Sequence, residues 1–307
     1  MKLLRFALLV ALVACTSPAR ALEGIAGTLT SVGSDTASVL ITRWAAAFQA
    51  DHPGARIQAQ ASGSASAPIA LIEGAADLGP MSRPMNASEE AAFRARYGYA
   101  PTRVVVAHDA IAVFVHPDNP LATATLADLD AIYSSTRACG ATAPIRGWND
   151  LRAGSGAPQP LLAIGRDSGS GTHELFRELA LCGGRYRAEV VAWPGNGAVV
   201  ATVAGNREAI GYAGFGFVNG LVRPLAIARS PSDPAIAPDE RSIASGRYPL
   251  SRAIYVYLNR RPQQALADLP RAFLEYILSD DAQQLVRHEG FIPLDVDEAR
   301  EQRALIR

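Results

Sequence analysis

The segment from Arg166 to Thr172 has the residue types of an anion-binding loop. It follows the apolar run Leu161–Gly165 and precedes a helical pattern that begins at His173. Glycines let backbone N–H groups approach a ligand, and a helix N-terminus offers unpaired N–H donors with about half a positive charge. Ser170 and Thr172 add hydroxyl donors, and the Arg166 guanidinium can pair with two oxygens of an anion. This combination predicts an oxyanion site, although a loop with an ordinary helix cap has the same local sequence.

Two further turns have similar chemistry. Gly33-Ser34-Asp35-Thr36 and Gly63-Ser64 each follow a strand pattern and precede a helical pattern. Each turn alone is typical of a helix N-cap. Together with the Arg166 loop they would place several N–H groups and hydroxyls around one point.

The same residues do not predict an enzyme. Neither Ser168 nor Ser170 lies in a Gly-x-Ser-x-Gly elbow, and no Walker-type lysine follows the glycine-rich loop. The five histidines form neither an i, i+4 pair nor a cluster with cysteines. We therefore expect no catalytic residue, no metal ion and no cofactor, and a secreted hydrolase is disfavoured.

Strand and helix patterns alternate along the chain, which predicts an α/β fold with mixed, partly parallel sheets. The runs 103–107 and 111–115 are predicted as separate strands, and the last helices are expected at 263–279 and 282–289. A chain of 307 residues that is 49% hydrophobic is long enough for two domains. In such sheets a ligand lies at the carboxyl ends of the strands, where the polar turns would meet.

The N-terminus has the pattern of a secretory signal peptide, residues 1–21, with Lys2 and Arg5 before an apolar run and a small-x-small site at its end. The segment Leu12–Cys15 also fits a lipobox, in which case Cys15 would carry a lipid. Both processing routes predict a protein outside the cytoplasm. Cleavage after residue 21 removes three basic residues from a chain with 29 Lys and Arg and 29 Asp and Glu, which leaves a net charge of −3. This charge disfavours nucleic acid as a partner, and contact with a membrane is expected only through a lipid anchor.

Outside the leader, Cys139 and Cys182 are the remaining cysteines. In an oxidising compartment a disulfide between them is the simplest prediction. Two buried free thiols are the alternative.

The mature chain resembles the periplasmic phosphate-binding proteins of ABC-type phosphate transporters. The resemblance covers almost the whole mature chain and depends on residues 33–36 followed by Trp44, on 62–64, on 77–83 and on Arg166 with 170–172. It implies a type II periplasmic binding protein architecture, in which two mixed-sheet α/β domains are joined by two crossing segments and the ligand lies in the cleft between them. We place residues 24–108 and 250–307 in a discontinuous domain I, and 112–245 in domain II.

The resemblance also implies roles for single residues. Arg166 would pair with phosphate oxygens, while the backbone and side chains of 170–172 would donate hydrogen bonds. The residues expected at the ligand are Ser34, Asp35, Thr36, Ser64, Ser82, Arg166, Ser170, Gly171 and Thr172.

Two positions depart from the family pattern. Ser82 stands where some members have an aspartate that accepts the proton of a monoprotonated phosphate and so rejects sulfate. Asp35 stands where many members have a Ser or Thr donor, and it either replaces that acceptor or caps a helix. Arg83 either adds a donor or is a solvated turn residue. The resemblance therefore implies a monomeric phosphate receptor that delivers to permease subunits, with another oxyanion such as sulfate, or a signalling or adhesion role, left open.

Overall fold

The structure is a computed structural model that describes residues 24–152 and 159–307. The expected signal peptide, 1–21, and the lipidation candidate Cys15 lie outside the described residues. The predicted α/β fold with mixed sheets is confirmed. No helix within the described ranges is both long enough and apolar enough to cross a bilayer.

Strands and helices alternate through most of the described chain. The strands are β1 (Gly27–Val32), β2 (Ala55–Gln60), β3 (Leu78–Met81), β4 (Thr102–Val115), β5 (Thr123–Thr125), β6 (Leu162–Arg166), β7 (Val191–Trp193), β8 (Ala209–Gly214), β9 (Arg223–Pro224), β10 (Ala226–Ala228) and β11 (Ser251–Leu258). The helices are α1 (Asp35–Asp51), α2 (Ser66–Ile72), α3 (Ala87–Tyr97), α4 (Leu126–Tyr133), α5 (Trp148–Arg152), α6 (Gly171–Ala180), α7 (Asn196–Ala204), α8 (Glu240–Ala244), α9 (Asp268–Ile277), α10 (Asp280–His288) and α11 (Val296–Ala304).

The main sheet has the strand order β2-β1-β3-β11-β4-β8-β6-β7, with β9 paired to β4. Strands β1, β2 and β3 are parallel to one another, as are β6, β7 and β8, whereas β11 runs antiparallel to β3 and β4. The parallel groups place their carboxyl ends, and the turns that follow, where they can face each other. This is the mixed topology that the sequence predicts.

Strand β4 joins the two groups of strands. Residues 102–110 of β4 pair with β11, and 111–115 pair with β8. The prediction of two separate strands here was wrong, because His108 and Asp109, which interrupt the apolar pattern, both have partners. His108 Nε2 lies 3.0 Å from Glu298, and Asp109 is paired to Arg252.

Hydrophobic clusters lie on both sides of this junction. One combines residues between 29 and 107 with residues between 254 and 306, around the fully buried Trp44. Another is built almost entirely from residues between 110 and 250, around the stacked rings of Phe176 and Tyr212. Trp44 Nε1 donates to Ala282 O, so the polar atom of this buried tryptophan has a partner.

The predicted disulfide between Cys139 and Cys182 is present, with an S–S distance of 2.12 Å. Some helix boundaries differ from the sequence-based prediction. Helix α9 begins at Asp268, well after the expected residue 263. Helices α7 and α11 were not predicted.

Candidate functional site

The polar turns after β1, β2, β3 and β6 meet at the junction between the two groups of strands. Thr36 Oγ1 lies 3.4 Å from Thr172 Oγ1, and Ser64 Oγ lies 3.3 Å from Ser82 Oγ. The predicted turns therefore come together although they are far apart in sequence. Five hydroxyl residues of this cluster have exposures between 0% and 2%: Thr36, Ser64, Ser82, Ser170 and Thr172.

The backbones of two turns touch across the site. Ala65 N donates to Gly169 O at 3.3 Å. A Cβ built on Gly63, whose φ is +90°, would lie 2.4 Å from the same carbonyl oxygen. A Cβ on Gly171 would lie 2.3 Å from Ser64 Oγ. Glycine is needed at both positions because no side-chain carbon fits between the turns.

Local folding explains where two of the serines point. Ser34 caps α1 and its Oγ accepts from Ala37 N, while Ser170 caps α6 and its Oγ accepts from Thr172 N. A hydroxyl that accepts from the backbone keeps its own hydrogen for a further acceptor. Ser34 and Ser170 are thus helix caps that still have a proton to donate.

Arg166 adjoins the cluster through its ion pair with Asp35, and its side chain is 0% exposed. Nη2 lies 2.9 Å from Asp35 Oδ2 and donates to Pro194 O, and Nε donates to Trp193 O. Among the described residues, Arg166 Nη1 and Asp35 Oδ1 are buried atoms without a hydrogen-bond partner. Such orphaned polar atoms are costly, so one donor and one acceptor remain for a ligand.

The backbone of Arg166 is also fixed. Its N–H donates to Tyr212 Oη at 3.3 Å, and its carbonyl oxygen lies 2.8 Å from His173 Nδ1, which is the ring atom placed to donate. Tyr186 Oη lies 2.8 Å from Tyr212 Oη, so two tyrosines support this position. Burial lowers the pKa of His173 below its ordinary value. His173 is therefore neutral at pH 7 and acts as a structural support of the arginine.

Sequence reasoning missed Asn196 and the Asp109–Arg252 pair. Asn196 Nδ2 donates to Asp35 Oδ2 at 2.9 Å and to Thr36 Oγ1 at 3.0 Å. Asn196 opens α7 directly after β7, in a small polar turn like the three that were recognised, so the same signal was available. Arg252 lies within a strand and has no local signal of this kind.

Arg83 lies at the edge of the cluster with its guanidinium turned away from it. Nη1 and Nη2 donate to the Glu89 carboxylate, and Nε lies 2.6 Å from Glu174 Oε2. Burial alone would lower the pKa of Arg83, but Glu89, Glu174 and Glu178 together raise it above its ordinary value. At 3% exposure Arg83 is not the solvated turn residue that was one expectation. Nη1 and Nη2 donate to Glu89 and to Pro84 O, and Arg83 as an added donor to the ligand stays a prediction.

The inner charges are balanced before any ligand binds. Arg166 pairs with Asp35 and Arg252 pairs with Asp109. An anion here would be held by N–H and O–H donors and by the remaining nitrogen of Arg166, more than by a net positive charge. In the part of the chain that the structure describes, no three His, Cys, Asp or Glu residues are placed to hold a metal ion.

Comparisons with known proteins agree with this geometry. The PBP superfamily domain model matches residues 18–281. The phosphate-binding protein PstS of Pseudomonas aeruginosa is 44% identical over 273 residues, which cover 89% of this chain and 84% of that protein. Protein SphX of Synechococcus elongatus is 28% identical over 270 residues, covering 87% of this chain and 77% of its own.

Solved structures share the fold. The crystal structure of an ABC-type phosphate transport receptor from Vibrio cholerae matches with a TM-score of 0.68 at 22% identity, over 87% of this chain and 100% of that one. A high affinity periplasmic phosphate-binding protein (PfluDING) bound with phosphate matches with a TM-score of 0.67 at 14% identity, over 91% and 93% of the two chains. With most of its length matched by the family model and by a relative of 44% identity, the chain belongs to the PBP superfamily, in the family of the phosphate-binding protein PstS.

Proposed function

We propose that this protein is an extracytoplasmic substrate-binding protein that captures inorganic phosphate for an ABC-type transporter. The observation that carries the proposal is the buried cluster of five hydroxyls beside the Arg166–Asp35 pair, in which one guanidinium nitrogen and one carboxylate oxygen have no hydrogen-bond partner among the described residues. A tetrahedral anion with one proton matches this set, because it accepts from many donors and donates once. The 44% identical relative named as a phosphate-binding protein supports the same ligand.

The ligand lies between two domains in this proposal. We place residues 24–108 and 250–307 in domain I and 112–245 in domain II, joined by β4 and by the segment that enters β11. The separate hydrophobic clusters on the two sides of this junction support the division. Thr36, Ser64 and Ser82 then belong to domain I, and Arg166 with residues 170–172 belongs to domain II. In this proposal the single contact between Thr36 Oγ1 and Thr172 Oγ1 corresponds to a closed cleft.

Ligand selectivity depends on Asp35 in this proposal. Its Oδ2 is occupied by Arg166 and Asn196, while Oδ1 is left to accept a proton from the ligand. Phosphate carries such a proton near neutral pH and sulfate does not. Sulfate would place an unprotonated oxygen against a buried carboxylate oxygen, and this repulsion favours phosphate.

The remaining parts of the proposal follow from the leader and the family. Residues 1–21 direct the chain to the periplasm and are then removed. In the alternative route the chain is processed at Cys15, which carries a lipid anchor. It works as a monomer, without catalysis, and passes phosphate to the permease subunits of the transporter.

Isothermal titration calorimetry of the mature protein with phosphate, sulfate, arsenate and molybdate tests the proposal. We expect tight binding of phosphate and arsenate and weak binding of sulfate. The Arg166→Ala variant should lose tight phosphate binding, and Arg166→Lys should retain only part of it because an ammonium cannot bridge two oxygens. Unchanged affinity in Arg166→Ala, or equal affinity for sulfate, would contradict the proposal.

A further inference from the structure

A second buried ion pair adjoins the cluster and belongs to none of its turns. Arg252 on β11 and Asp109 on β4 are directly opposite in the antiparallel ladder, with side chains that are 2% and 0% exposed. Arg252 Nε and Nη2 donate to Asp109 Oδ2 at 2.9 Å and 2.6 Å. Asp109 Oδ1 accepts from Phe215 N at 3.1 Å. The guanidinium is therefore fixed by one edge and presents its other nitrogen, Nη1, to the site.

Arg252 Nη1 contacts both sides of the cluster. It donates to Thr172 Oγ1 at 2.8 Å and lies 3.4 Å from Ser82 O. Thr172 is in the first turn of α6, whereas Ser82 follows β3, so one nitrogen bridges elements on the two sides of the proposed cleft. Gly214 leaves room for this arrangement, since a Cβ there would lie 3.0 Å from Arg252 Nη2 and 3.2 Å from Asp109 Oδ2.

The hydroxyl hydrogens of Thr172 and Thr36 determine what the contact with Arg252 does to the site. Thr172 Oγ1 accepts from Arg252, and Thr36 Oγ1 accepts from Asn196. Each hydroxyl then has one hydrogen left, and the 3.4 Å contact between the two oxygens uses one of these hydrogens at most. At least one hydroxyl hydrogen must point to a third acceptor. An anion in the cluster is such an acceptor.

From this geometry we infer that Arg252, held by Asp109, is a positioning residue that commits the Thr172 hydroxyl to donating to the bound anion. The inference rests on the proposed function. Arg252 Nη1 reaches Thr172 from the other side of the proposed cleft, so this contact exists only while the cleft is closed. Binding and closure are thereby linked through one side chain that does not need to touch the ligand.

A purely structural role for the Arg252–Asp109 pair predicts a different result from a role that acts through Thr172. If Arg252 only stabilised the junction of β4 and β11, its replacement would weaken binding independently of Thr172. If it acts through the Thr172 hydroxyl, its effect must disappear when that hydroxyl is absent. A double-mutant cycle separates the two cases.

The cycle uses Arg252→Lys, Thr172→Val and their combination, with phosphate affinity measured by calorimetry. Loss of a hydrogen bond to a charged group predicts that each single change weakens binding by about tenfold or more. In the Thr172→Val background, Arg252→Lys should add a factor of about three or less. In Thr172→Ser, which restores the hydroxyl, the full effect of Arg252→Lys should return.

Arg223→Lys is the matched control. Arg223 is a half-buried arginine on β9 that donates to the backbone oxygens of Asn119 and Leu121, and within the described residues it makes no hydrogen bond to the cluster. Its replacement should leave phosphate affinity unchanged. If Arg252→Lys does not fold, the neutral pair Asp109→Asn/Arg252→Met avoids a buried unpaired charge and takes its place in the cycle.

The outcomes distinguish the two levels of the proposal. Absence of phosphate binding by the unaltered protein would overturn the proposed function itself. Tight binding by the unaltered protein together with unchanged affinity in Arg252→Lys would overturn only the role of Arg252. Losses that multiply in the double variant would overturn the action through Thr172.

Discussion

Replacing Gly171 by alanine should prevent tight phosphate binding while leaving the unliganded protein stable. Gly171 is the first residue of α6, and a Cβ there would lie 2.3 Å from Ser64 Oγ, 2.7 Å from Ser64 Cβ and 2.8 Å from Ser82 Oγ. Carbon atoms in contact are normally ~3.5–4.0 Å apart, so α6 would have to withdraw by about 1 Å. Rotation of Ser64 gives no relief without a cost, because its Oγ accepts from Ser82 N.

A withdrawal of this size breaks hydrogen bonds from the donors on one side of the ligand. Thr36 Oγ1 and Thr172 Oγ1 are already 3.4 Å apart, so a further separation takes them beyond hydrogen-bonding distance. Losing two hydrogen bonds to a charged ligand, at ~1.5–3 kcal/mol each, costs about 3 kcal/mol or more. The dissociation constant should therefore rise by about a hundredfold or more. In an open, unliganded protein the alanine has no clash, and in a helix it should stabilise the fold by ~0.5–1 kcal/mol relative to glycine.

Calorimetry with phosphate and urea unfolding without ligand measure the two effects. Gly197→Ala is the control, since Gly197 also lies in the first turn of a helix and a Cβ there meets nothing within 4 Å. It should gain stability and keep its affinity. Phosphate affinity in Gly171→Ala within threefold of the unaltered protein would refute the steric argument. A loss of stability without ligand would show that the Ser64 contact also exists in the free protein.

Three further changes have defined outcomes. Asp35→Asn should reduce the preference for phosphate over sulfate in competition calorimetry, because the amide nitrogen can donate where the carboxylate oxygen only accepts; an unchanged ratio would remove Asp35 from selectivity. Asp130→Asn should raise the unfolding free energy at pH 7 but not at pH 3. Burial raises the pKa of Asp130, so the stabilising contribution of its protonated form is present at low pH and is lost as the pH rises through the folded-state pKa. Urea titrations at both pH values check this. Replacing Cys139 and Cys182 by serine opens a loop with a sequence separation of 43 and should cost about 2–4 kcal/mol of unfolding free energy in urea, with phosphate affinity retained.

The turns of the site could be predicted from the sequence because their chemistry is local. Arg166 with residues 170–172 combines a strand end, glycines and a helix start within a few positions, and Ser34 and Ser64 repeat the pattern. The structure brings these turns together as expected. Asp35 was recognised as a departure from the family pattern. Its Oδ1 has no hydrogen-bond partner among the described residues and is free to accept one.

What was missed depends on contacts between distant segments. Arg252 meets Asp109 across 143 positions, and nothing near either residue signals the other. The same reason explains β4, which was predicted as two strands because His108 and Asp109 look like an interruption. Their partners, Glu298 and Arg252, come from the last part of the chain. The partners of Arg83 were missed partly for the same reason, since Glu89 is close in sequence but Glu174 is not.

The position of β11 within the sheet also limits the order in which the chain can fold. Strand β3 pairs with β11 through residues 78–81, so one edge of β3 stays open until residues 255–258 are available to pair with it. Residues 110–250 contain nearly all partners of their own cluster and can pack earlier. An open strand edge is a site of misassociation, and pairings of long sequence separation form slowly. The N-terminal strands, although made first, are therefore the part of the molecule that must wait longest and needs protection from aggregation meanwhile.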